Sequence, residues 1–398
     1  MSTVNLGIAG LGRGFMLTLP ALRAHPSIRL AGAFDLRADA VRQFAEEFAA
    51  SGHFSLESLL ADPAIGAVYI ATPHGLHAEQ AIAALEAGKH VLVEKPMATT
   101  VGECLRMADA ARQAGKVLMT GPSHGFDEPV RTAAQMVASG RFGRVRLITS
   151  FNFTDFMYRP RRPEELDEAR GGGVVYSQAA HQIDVVRRIV GQPATAIRAV
   201  TGNWDPGRPS DGAYSALMTF ADGAAASLTY SGYAHYDSDE LVGWISELGQ
   251  DKDPLRYGDA RRALASLSGE DEMQAKLART YGSPSATPVH PAPHHEHFGF
   301  LLVSCEGADL KVLPDGIEVF ADAAREHIPI APPAIPRAAV IEEFTRAIAS
   351  GDTSGHDGRW GLETMACCAA LIQSGRTGTD ADPRRIIQDH QQSETSSR

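Results

Sequence analysis

Strict alternation of apolar strand-like runs with helix-like segments is the feature that most limits how this chain can fold. In the first third of the chain, helical patterns separate the short runs "VNLGIAG", "IRLAGAFD", "GAVYIATP", "KHVLVEKP" and "KVLMTGP". Continuous apolar strands separated by helices indicate a parallel sheet that is covered on both faces. The pattern therefore predicts a doubly wound α/β domain over residues 1–122.

The pattern changes after residue 122. The runs "VRLITSFNF", "GAYSALMTFADG" and "AAASLTYSGY" are longer and partly alternating, and Asp222-Gly223 marks a hairpin between the last two. The strongly helical "VVYSQAAHQIDVVRRIVG" precedes most of these strands, and helices return after "IAPPAIPR". We predict a second, α+β domain over 123–398 with an open, mainly antiparallel sheet. Within it, 236–292 is expected to be an excursion and 389–398 a flexible tail.

Size and charge narrow the class of protein. A chain of 398 residues is too long for one ordinary core. Its 48 acidic against 37 basic residues give a net charge of −11, which disfavours nucleic acid or an anionic membrane as partner. No run approaches the ~18 apolar residues of a membrane span. The four scattered cysteines suit a reducing compartment, so we expect a cytoplasmic protein that acts on a small molecule.

A glycine turn joins the first strand to the first helix. Gly10 and Gly12 form G-x-G at this junction, where a side chain would block the backbone from approaching a pyrophosphate. The third glycine of the fingerprint should stand at position 15, but Phe15 is there and Gly14 lies one place early. We therefore predict dinucleotide binding, and we expect this helix either to pack less closely on the sheet or to start differently.

Asp35 ends the second strand. A carboxylate at this position suits the hydroxyls of an adenosine ribose and repels a 2′-phosphate, so NAD is favoured over NADP. Arg37 lies close enough to leave NADP open.

A lysine follows another strand of the same sheet. In "HVLVEKPMA" the apolar strand ends in Glu94-Lys95-Pro96, and proline stops the strand there. Ligands bind at the carboxyl edge of open α/β sheets. We therefore predict that Lys95 reaches the nicotinamide and the substrate; the alternative is a solvated surface lysine.

Several motifs together resemble one family. "GIAGLGRG", "YIATPHGLHAEQAIAALEAGKHVLVEKPMA", "GGGVVYSQAAHQID" and "HDGRWGLETMACCAALIQSGRTG" are similar to the glucose–fructose oxidoreductase/inositol dehydrogenase (Gfo/Idh/MocA) family. The resemblance implies a Rossmann domain, followed by an α/β domain whose open sheet often forms the subunit interface. It also implies hydride transfer between NAD or NADP and a secondary alcohol, in a homodimer or homotetramer.

The resemblance also implies roles for individual residues. Lys95 and His181 occupy the catalytic positions, and Thr72-Pro73 matches a turn beside the cofactor, although His74 stands where asparagine is usual. The cofactor site expected from the fingerprint and the resemblance consists of Gly10, Gly12, Arg13, Gly14, Phe15, Asp35, Arg37, Thr72, Pro73, His77, Glu94 and Lys95.

One position departs from the family pattern. Ser177 stands where many sugar-oxidising members have an aspartate, one helical turn before His181. Serine carries no charge with which to orient an imidazolium. Asp184 lies on the same helical face, and whether it substitutes for the missing aspartate stays open. Ser177 and Asp184 are both candidate substrate-site residues.

The expected substrate follows from a narrower resemblance. "GGGVVYSQAAHQID" and "HEHFGFLLVSCEGADLKVLPDGIEVF" look most like the phthalate 4,5-cis-dihydrodiol dehydrogenase branch. Arg159, Arg161 and Arg162 precede the catalytic helix, and guanidinium groups grip carboxylates bidentately. Neighbouring acidic residues instead suggest an ordinary solvated loop. A sugar or inositol dehydrogenase and a non-catalytic dinucleotide-binding sensor are the alternative functions.

A histidine-rich segment invites a metal interpretation, which we do not favour. It contains His290, His294, His295 and His297, without an accompanying cysteine or carboxylate set. Hydride transfer to NAD needs no metal, so we expect a loop that enters a strand.

Overall fold

The computed structural model describes residues 3–283, 292–352 and 355–396. The chain forms two compact units. The first comprises Met1–Pro122, Met273–Pro291 and Ile335–Met365, and the second comprises Ser123–Glu272, Ala292–Ala334 and Ala366–Arg398. The sequence-based boundary at residue 122 coincides with the first break. The two later segments of the first unit had been assigned to the second domain, because no local pattern marks them as part of a Rossmann fold.

The first unit contains a six-stranded, all-parallel sheet with the order β3-β2-β1-β4-β5-β6. Its strands are β1 (Val4–Ala9), β2 (Ile28–Phe34), β3 (Ser51–His53), β4 (Ala67–Ile70), β5 (His90–Val93) and β6 (Leu118–Thr120). The chain leaves β1 in one direction across the sheet and returns to its other side at β4, so a crevice opens at the carboxyl ends of these two strands.

The second unit contains an eight-stranded sheet with the order β14-β13-β12-β11-β7-β10-β9-β8. Its strands are β7 (Val145–Phe153), β8 (Ala194–Gly202), β9 (Ala213–Phe220), β10 (Ala225–Ser231), β11 (Phe300–Cys305), β12 (Ala308–Leu313), β13 (Gly316–Ala321) and β14 (Ala324–Pro329). Only the β7–β10 pair is parallel. Gly223, at φ +88°, makes the predicted turn between β9 and β10. The predicted fold class is confirmed.

The α-helices of the described chain, in order, are α1 (Arg13–Ala24), α2 (Ala38–Phe48), α3 (Leu56–Ala61), α4 (His77–Glu86), α5 (Val101–Ala114), α6 (Glu128–Ala138), α7 (Ala180–Val190), α8 (Asp259–Ala265), α9 (Gly269–Leu277), α10 (Ala338–Ser350), α11 (Gly358–Thr377) and α12 (Pro383–Ser396). Several begin with clear signals. Thr100 caps α5 through a reciprocal capping box with Glu103, and Gly115 ends that helix in the left-handed conformation.

Two predicted irregular regions contain helices. Between β10 and β11, the described residues form short helical turns, α8 and α9, and residues 284–291 of the predicted excursion lie outside the described residues. The predicted tail 389–398 begins inside α12, which continues to Ser396. Among the described helices, none is long and apolar enough to cross a membrane.

Candidate active site

The glycine turn after β1 has the geometry that dinucleotide binding requires. Gly10 has φ +92°, and a Cβ there would lie 2.8 Å from the carbonyl oxygen of Ala71. A Cβ at Gly12 would meet only that same oxygen, at 3.5 Å, so the other side of this residue is open. A phosphate can therefore approach the backbone at the first turn of α1.

Gly14 packs closely against the end of β5. A Cβ at Gly14 would lie 2.7 Å from Oε1 of Glu94, which no side chain could tolerate without moving Glu94. Phe15 points the other way, is fully buried, and packs against Phe44 and Tyr281. Looser packing, the first of the two alternatives, is therefore wrong, because the glycine one position earlier permits the close approach.

Asp35 has its acceptor capacity filled by protein groups. One carboxylate oxygen accepts from the Arg37 backbone N–H at 2.9 Å and from its Nε at 3.0 Å. The other accepts from the Leu11 N–H at 2.7 Å and from Arg37 Nη2 at 3.1 Å. A carboxylate offers about four lone-pair positions, and all four are used. Ribose hydroxyls can reach Asp35 only by displacing Arg37.

Arg37 is held from the opposite side by a segment remote in sequence. Its Nη1 donates to Thr280 Oγ1 at 2.6 Å and to the Tyr281 carbonyl at 2.8 Å. The Tyr281 N–H donates to the Leu11 carbonyl at 3.1 Å. Residues 280 and 281 therefore belong to the dinucleotide-binding unit, although sequence reasoning placed them elsewhere.

Three guanidinium groups influence one another near the amino end of α1. Burial, together with the charges of Arg279 and Arg337, lowers the pKa of Arg13 to about 10. The three positive charges repel one another, and a bound anion would relieve that repulsion. The open glycine turn and this positive charge both fit the pyrophosphate of NAD.

Lys95 stands two residues after the end of β5 and is half-buried. The preceding Glu94 is buried and accepts a hydrogen bond from the Tyr69 hydroxyl. Burial raises the pKa of Glu94, and the nearby charges of Arg337 and Lys95 oppose that rise. The strand end thus presents a cation to the carboxyl edge of the sheet, beside a carboxylate fixed in the core.

His77 ties together two turns at this edge. Its ring nitrogens lie 2.9 Å from the carbonyl oxygens of Pro96 and Thr72, and it has no exposed surface. Burial lowers its pKa. The buried ring of His77 therefore positions these two turns, and its contact with the cofactor stays a prediction. The Thr72 hydroxyl donates to Gln80, within the same turn region.

His181 lies near the start of α7, directly after a π-helical segment at Val175–Ala179. Such segments are frequent at functional sites. His181 is 8% exposed, and its Nδ1 lies 3.4 Å from the hydroxyl of Ser123. That hydroxyl donates to Oδ2 of Asp184 at 2.6 Å, and the Gly125 N–H donates to the same oxygen at 3.1 Å. Asp184 therefore connects to His181 through Ser123.

Ser177 does not replace the family aspartate. Its hydroxyl donates to the Gly173 carbonyl at 2.7 Å, within its own helical turn. The group that completes the surroundings of His181 comes instead from the residue after Pro122.

A buried ionic cluster lies against His181. The ring of His124 is 4.7 Å from that of His181, its Nδ1 lies 2.7 Å from Asp127, and its Nε2 lies 3.7 Å from Glu247. Burial would lower the pKa of His124, but the two carboxylates outweigh it and raise the pKa to about 10. His124 is therefore an imidazolium at neutral pH.

The same cluster has the composition of a metal site. Ligand atoms of His124, Asp127 and Glu296 lie within 4.8 Å of one another. The short hydrogen bond between His124 and Asp127 already occupies one imidazole nitrogen. The described histidines of the predicted histidine-rich segment have separate partners, namely Asp251 for His294, the Ala331 carbonyl for His295 and the Ile245 carbonyl for His297. His290 lies outside the described residues.

The three predicted substrate arginines differ in their surroundings. The Arg161 guanidinium stacks 3.4 Å from the centre of the Phe156 ring, and its side chain is 9% exposed. Arg162 lies between Glu164 and Glu165. Arg159 pairs with Asp155 through Nε at 3.0 Å, and its side chain remains 34% exposed. Of the three side chains, that of Arg159 has the largest exposed fraction.

Comparison with known proteins decides the family. Residues 4–122 match the profile described as "Oxidoreductase family, NAD-binding Rossmann fold", and 130–245 match "GFO/IDH/MocA C-terminal domain". A Comamonas testosteroni protein, 1-carboxy-3-chloro-3,4-dihydroxycyclohexa-1,5-diene dehydrogenase, is 44% identical over 377 residues, which cover 94% of this chain and 95% of the relative. The chain belongs to the GFO/IDH/MocA family. It is an oxidoreductase that uses NAD, so the predicted enzyme class and cofactor are confirmed.

Two further relatives extend the comparison. A crystal structure of a Bordetella bronchiseptica RB50 protein assigned as a dehydrogenase has a TM-score of 0.90 and 39% identity, and the match covers 96% of this chain and all of that one. D-xylose 1-dehydrogenase (NADP(+)) 2 of Haloferax volcanii is 32% identical, over 94% of this chain and 97% of the relative. Proteins similar to this chain are thus named for different substrates, which leaves the individual site residues to decide the substrate.

Sequence reasoning missed Ser123 and the segment around Tyr281. Ser123 stands three residues after the end of β6, at the carboxyl edge where ligands bind, so its position in the sequence gave a usable signal. Tyr281 carried no such signal, because its role rests on contacts with residues far away in the chain.

Proposed function

We propose that this chain oxidises one secondary hydroxyl of a cis-dihydrodiol carboxylate with NAD and so forms a catechol. The observation that carries the proposal is the 44% identity, over nearly the whole length of both chains, to a dehydrogenase named for a carboxylated dihydroxycyclohexadiene. The retention of Lys95 and His181 at the catalytic positions supports turnover rather than a purely sensory role.

The proposed chemistry assigns one role to each catalytic residue. NAD, when bound, supplies the hydride acceptor. His181 removes the hydroxyl proton, because a neutral imidazole with a reference pKa of ~6.5 suits a general base near pH 7. Lys95 stabilises the alkoxide charge that develops as the C–H bond breaks. The half-buried position of Lys95 strengthens that interaction relative to water.

The proposed product explains the direction of the reaction. Loss of a proton from oxygen and a hydride from the carbinol carbon leaves a hydroxy-enone. In this intermediate, a proton then moves from the ring carbon that bears the remaining hydroxyl to the new ketone oxygen. The product of this tautomerisation is an aromatic catechol. Aromatic stabilisation therefore favours oxidation over the reverse reaction.

We assign the substrate carboxylate to Arg159. Its side chain keeps exposed surface, and its Nη1 lies 4.0 Å from Glu247, the carboxylate that also faces His124. A guanidinium in this network can exchange a weak contact with Glu247 for a bidentate contact with a substrate carboxylate.

A substrate panel tests the proposal. Formation of NADH would be followed with cis-dihydrodiol carboxylates, the matching diols without a carboxyl group, inositol and glucose. We expect the highest kcat/KM on a dihydrodiol carboxylate, and a higher KM on the diol that lacks the carboxyl group. Activity on inositol or glucose, with none on the dihydrodiols, would overturn the proposal in favour of a polyol or sugar dehydrogenase.

We also propose that the second sheet mediates homo-oligomerisation. Leu147, Leu217 and Val200 lie on β7, β9 and β8 and are 41%, 49% and 65% exposed. Large apolar side chains that are exposed on neighbouring strands favour association with a second copy. Sedimentation velocity should show a dimer or tetramer, and a monomer at micromolar concentration would contradict the proposal.

A further inference from the structure

Ser177 turns its hydroxyl away from the catalytic histidine, to the Gly173 carbonyl, yet one buried carboxylate reaches that histidine through another hydroxyl. We propose that Ser123 is a positioning residue that connects Asp184 to His181 and fixes the histidine tautomer. The inference rests on the proposed role of His181 as general base.

The hydrogen-bond direction follows from the donors available. A carboxylate only accepts, so in the 2.6 Å contact the Ser123 hydroxyl must donate its single proton to Asp184. The remaining lone pairs of that hydroxyl face Nδ1 of His181 at 3.4 Å. Nδ1 must therefore carry the proton in this contact. Nε2 then keeps its lone pair and is the atom that accepts a proton from the substrate.

The anchor of this chain of contacts is firmly held. Asp184 is 3% exposed, and its Oδ2 also accepts from the Gly125 N–H at 3.1 Å. Residues 123–126 thus bind the carboxylate through both a side chain and the backbone. The contact between Ser123 and His181 is longer than the 2.7–3.2 Å of a typical N–H···O bond, and such contacts tighten once substrate is bound.

The arrangement also provides His181 with a link to a carboxylate that Ser177 does not provide. An aspartate at position 177 would lie one helical turn before His181, whereas Ser177 turns its hydroxyl toward the Gly173 carbonyl. As the imidazolium forms during turnover, Ser123 relays the stabilising effect of the Asp184 charge. Ser123 does not touch the reacting atoms and acts only through His181.

The test compares four variants on whichever alcohol the enzyme oxidises best. Ser123→Ala should lower kcat roughly 10–100-fold, the size expected for losing one charge-linked hydrogen bond, with KM little changed. Ser123→Thr keeps the hydroxyl and should restore most of the loss. Asp184→Asn should lower kcat by a similar factor. The double variant Ser123→Ala/Asp184→Asn should lower kcat about as much as either single variant, because the two residues act as a unit.

Ser150→Ala is the matched control. Ser150 is also a buried serine bonded to α7, but the partner of its hydroxyl is Gln182, whose Nε2 donates to it at 2.9 Å. Its kcat should stay near that of the wild type. If Ser150→Ala lowered kcat as much as Ser123→Ala, any cavity beside α7 would slow turnover. That result would overturn the inference.

A spectroscopic readout separates tautomer control from a structural role. In ¹⁵N-histidine spectra, the His181 signals, assigned by their loss in His181→Ala, should show Nδ1 protonated in the wild type and a mixture of tautomers in Ser123→Ala. An unchanged tautomer in Ser123→Ala would refute the inference even if kcat fell. Inactivity of the wild type on dihydrodiols would refute the proposed substrate and leave this result intact.

Discussion

At the scale of single residues, removal of either proposed catalytic side chain should slow the reaction. Lys95→Ala and His181→Ala should each lower turnover roughly 10²–10⁴-fold, because each removes a charge-stabilising or proton-accepting group. Binding of NAD, measured by titration calorimetry, should change little. A variant that kept near-wild-type turnover would lose its assigned role, and loss of NAD binding by Lys95→Ala would make that lysine a cofactor clamp.

Arg37 controls access to Asp35. Arg37→Ala frees the carboxylate from two side-chain hydrogen bonds and removes the nearest cation, so we expect the preference for NAD over NADP to rise roughly tenfold. The measurement is the dissociation constant of each cofactor for wild type and variant. Asp35→Ser is the control, and its preference for NAD over NADP should be smaller than that of the wild type. Weaker NAD binding by Arg37→Ala would show that the guanidinium itself contacts the cofactor.

Residue-level prediction worked where a motif fixes the backbone. The positions of Gly10, Gly12 and Lys95 relative to the strands follow from the sequence, because strand ends and tight turns are local. The hydrogen-bond partners of Asp35 and His181 do not follow from the sequence. Arg37 and Ser123 could each have pointed to solvent without any change in the hydrophobic pattern.

At the scale of elements, the strands and the hairpin at Gly223 were readable from hydrophobic patterning. The segment Met273–Ser283 was not, because its apolar residues show no period and its contacts lie in the Rossmann unit. Tyr281 fixes this segment there through ring contacts with Phe15 and Phe44 and a hydrogen bond from its hydroxyl to Glu47.

Removal of the Tyr281 ring tests the role of that segment. Tyr281→Ala should lower the free energy of unfolding of the first unit by about 3–5 kcal/mol, because it empties a buried aromatic site. Tyr281→Phe keeps the ring and should cost only about 1 kcal/mol. Urea unfolding followed by Trp360 fluorescence, with Trp204 and Trp244 replaced by Phe, reports on this unit. Equal costs for the two variants would contradict the packing role.

At the scale of the whole molecule, buried histidines predict how stability depends on pH. Burial lowers the pKa of His77, His90, His295 and His297, so their contribution is lost as pH falls below about 6.5. The pKa of His124 is shifted in the opposite direction. Its pKa is raised to about 10, so its contribution is complete below about 6.5 and is lost as pH rises toward 10.

The free energy of unfolding should therefore be greatest near pH 6.5. It should fall on the alkaline side by an amount of the order of a few kcal/mol. Denaturant unfolding at several pH values measures both limbs, and His124→Asn should flatten the alkaline limb only. Stability that rises steadily from pH 6.5 to 10 would show that His124 is neutral in the folded protein.

Isotope labelling shows whether the substrate hydride is transferred to NAD. A cis-dihydrodiol carboxylate deuterated at the carbinol carbon would be oxidised with NAD, and the NADH and the aromatic product would be analysed by mass spectrometry. The proposed reaction predicts one deuterium in NADH for each catechol formed, with a lower kcat/KM than for the undeuterated substrate. Catechol formed with no deuterium in NADH, or no catechol at all, would contradict it.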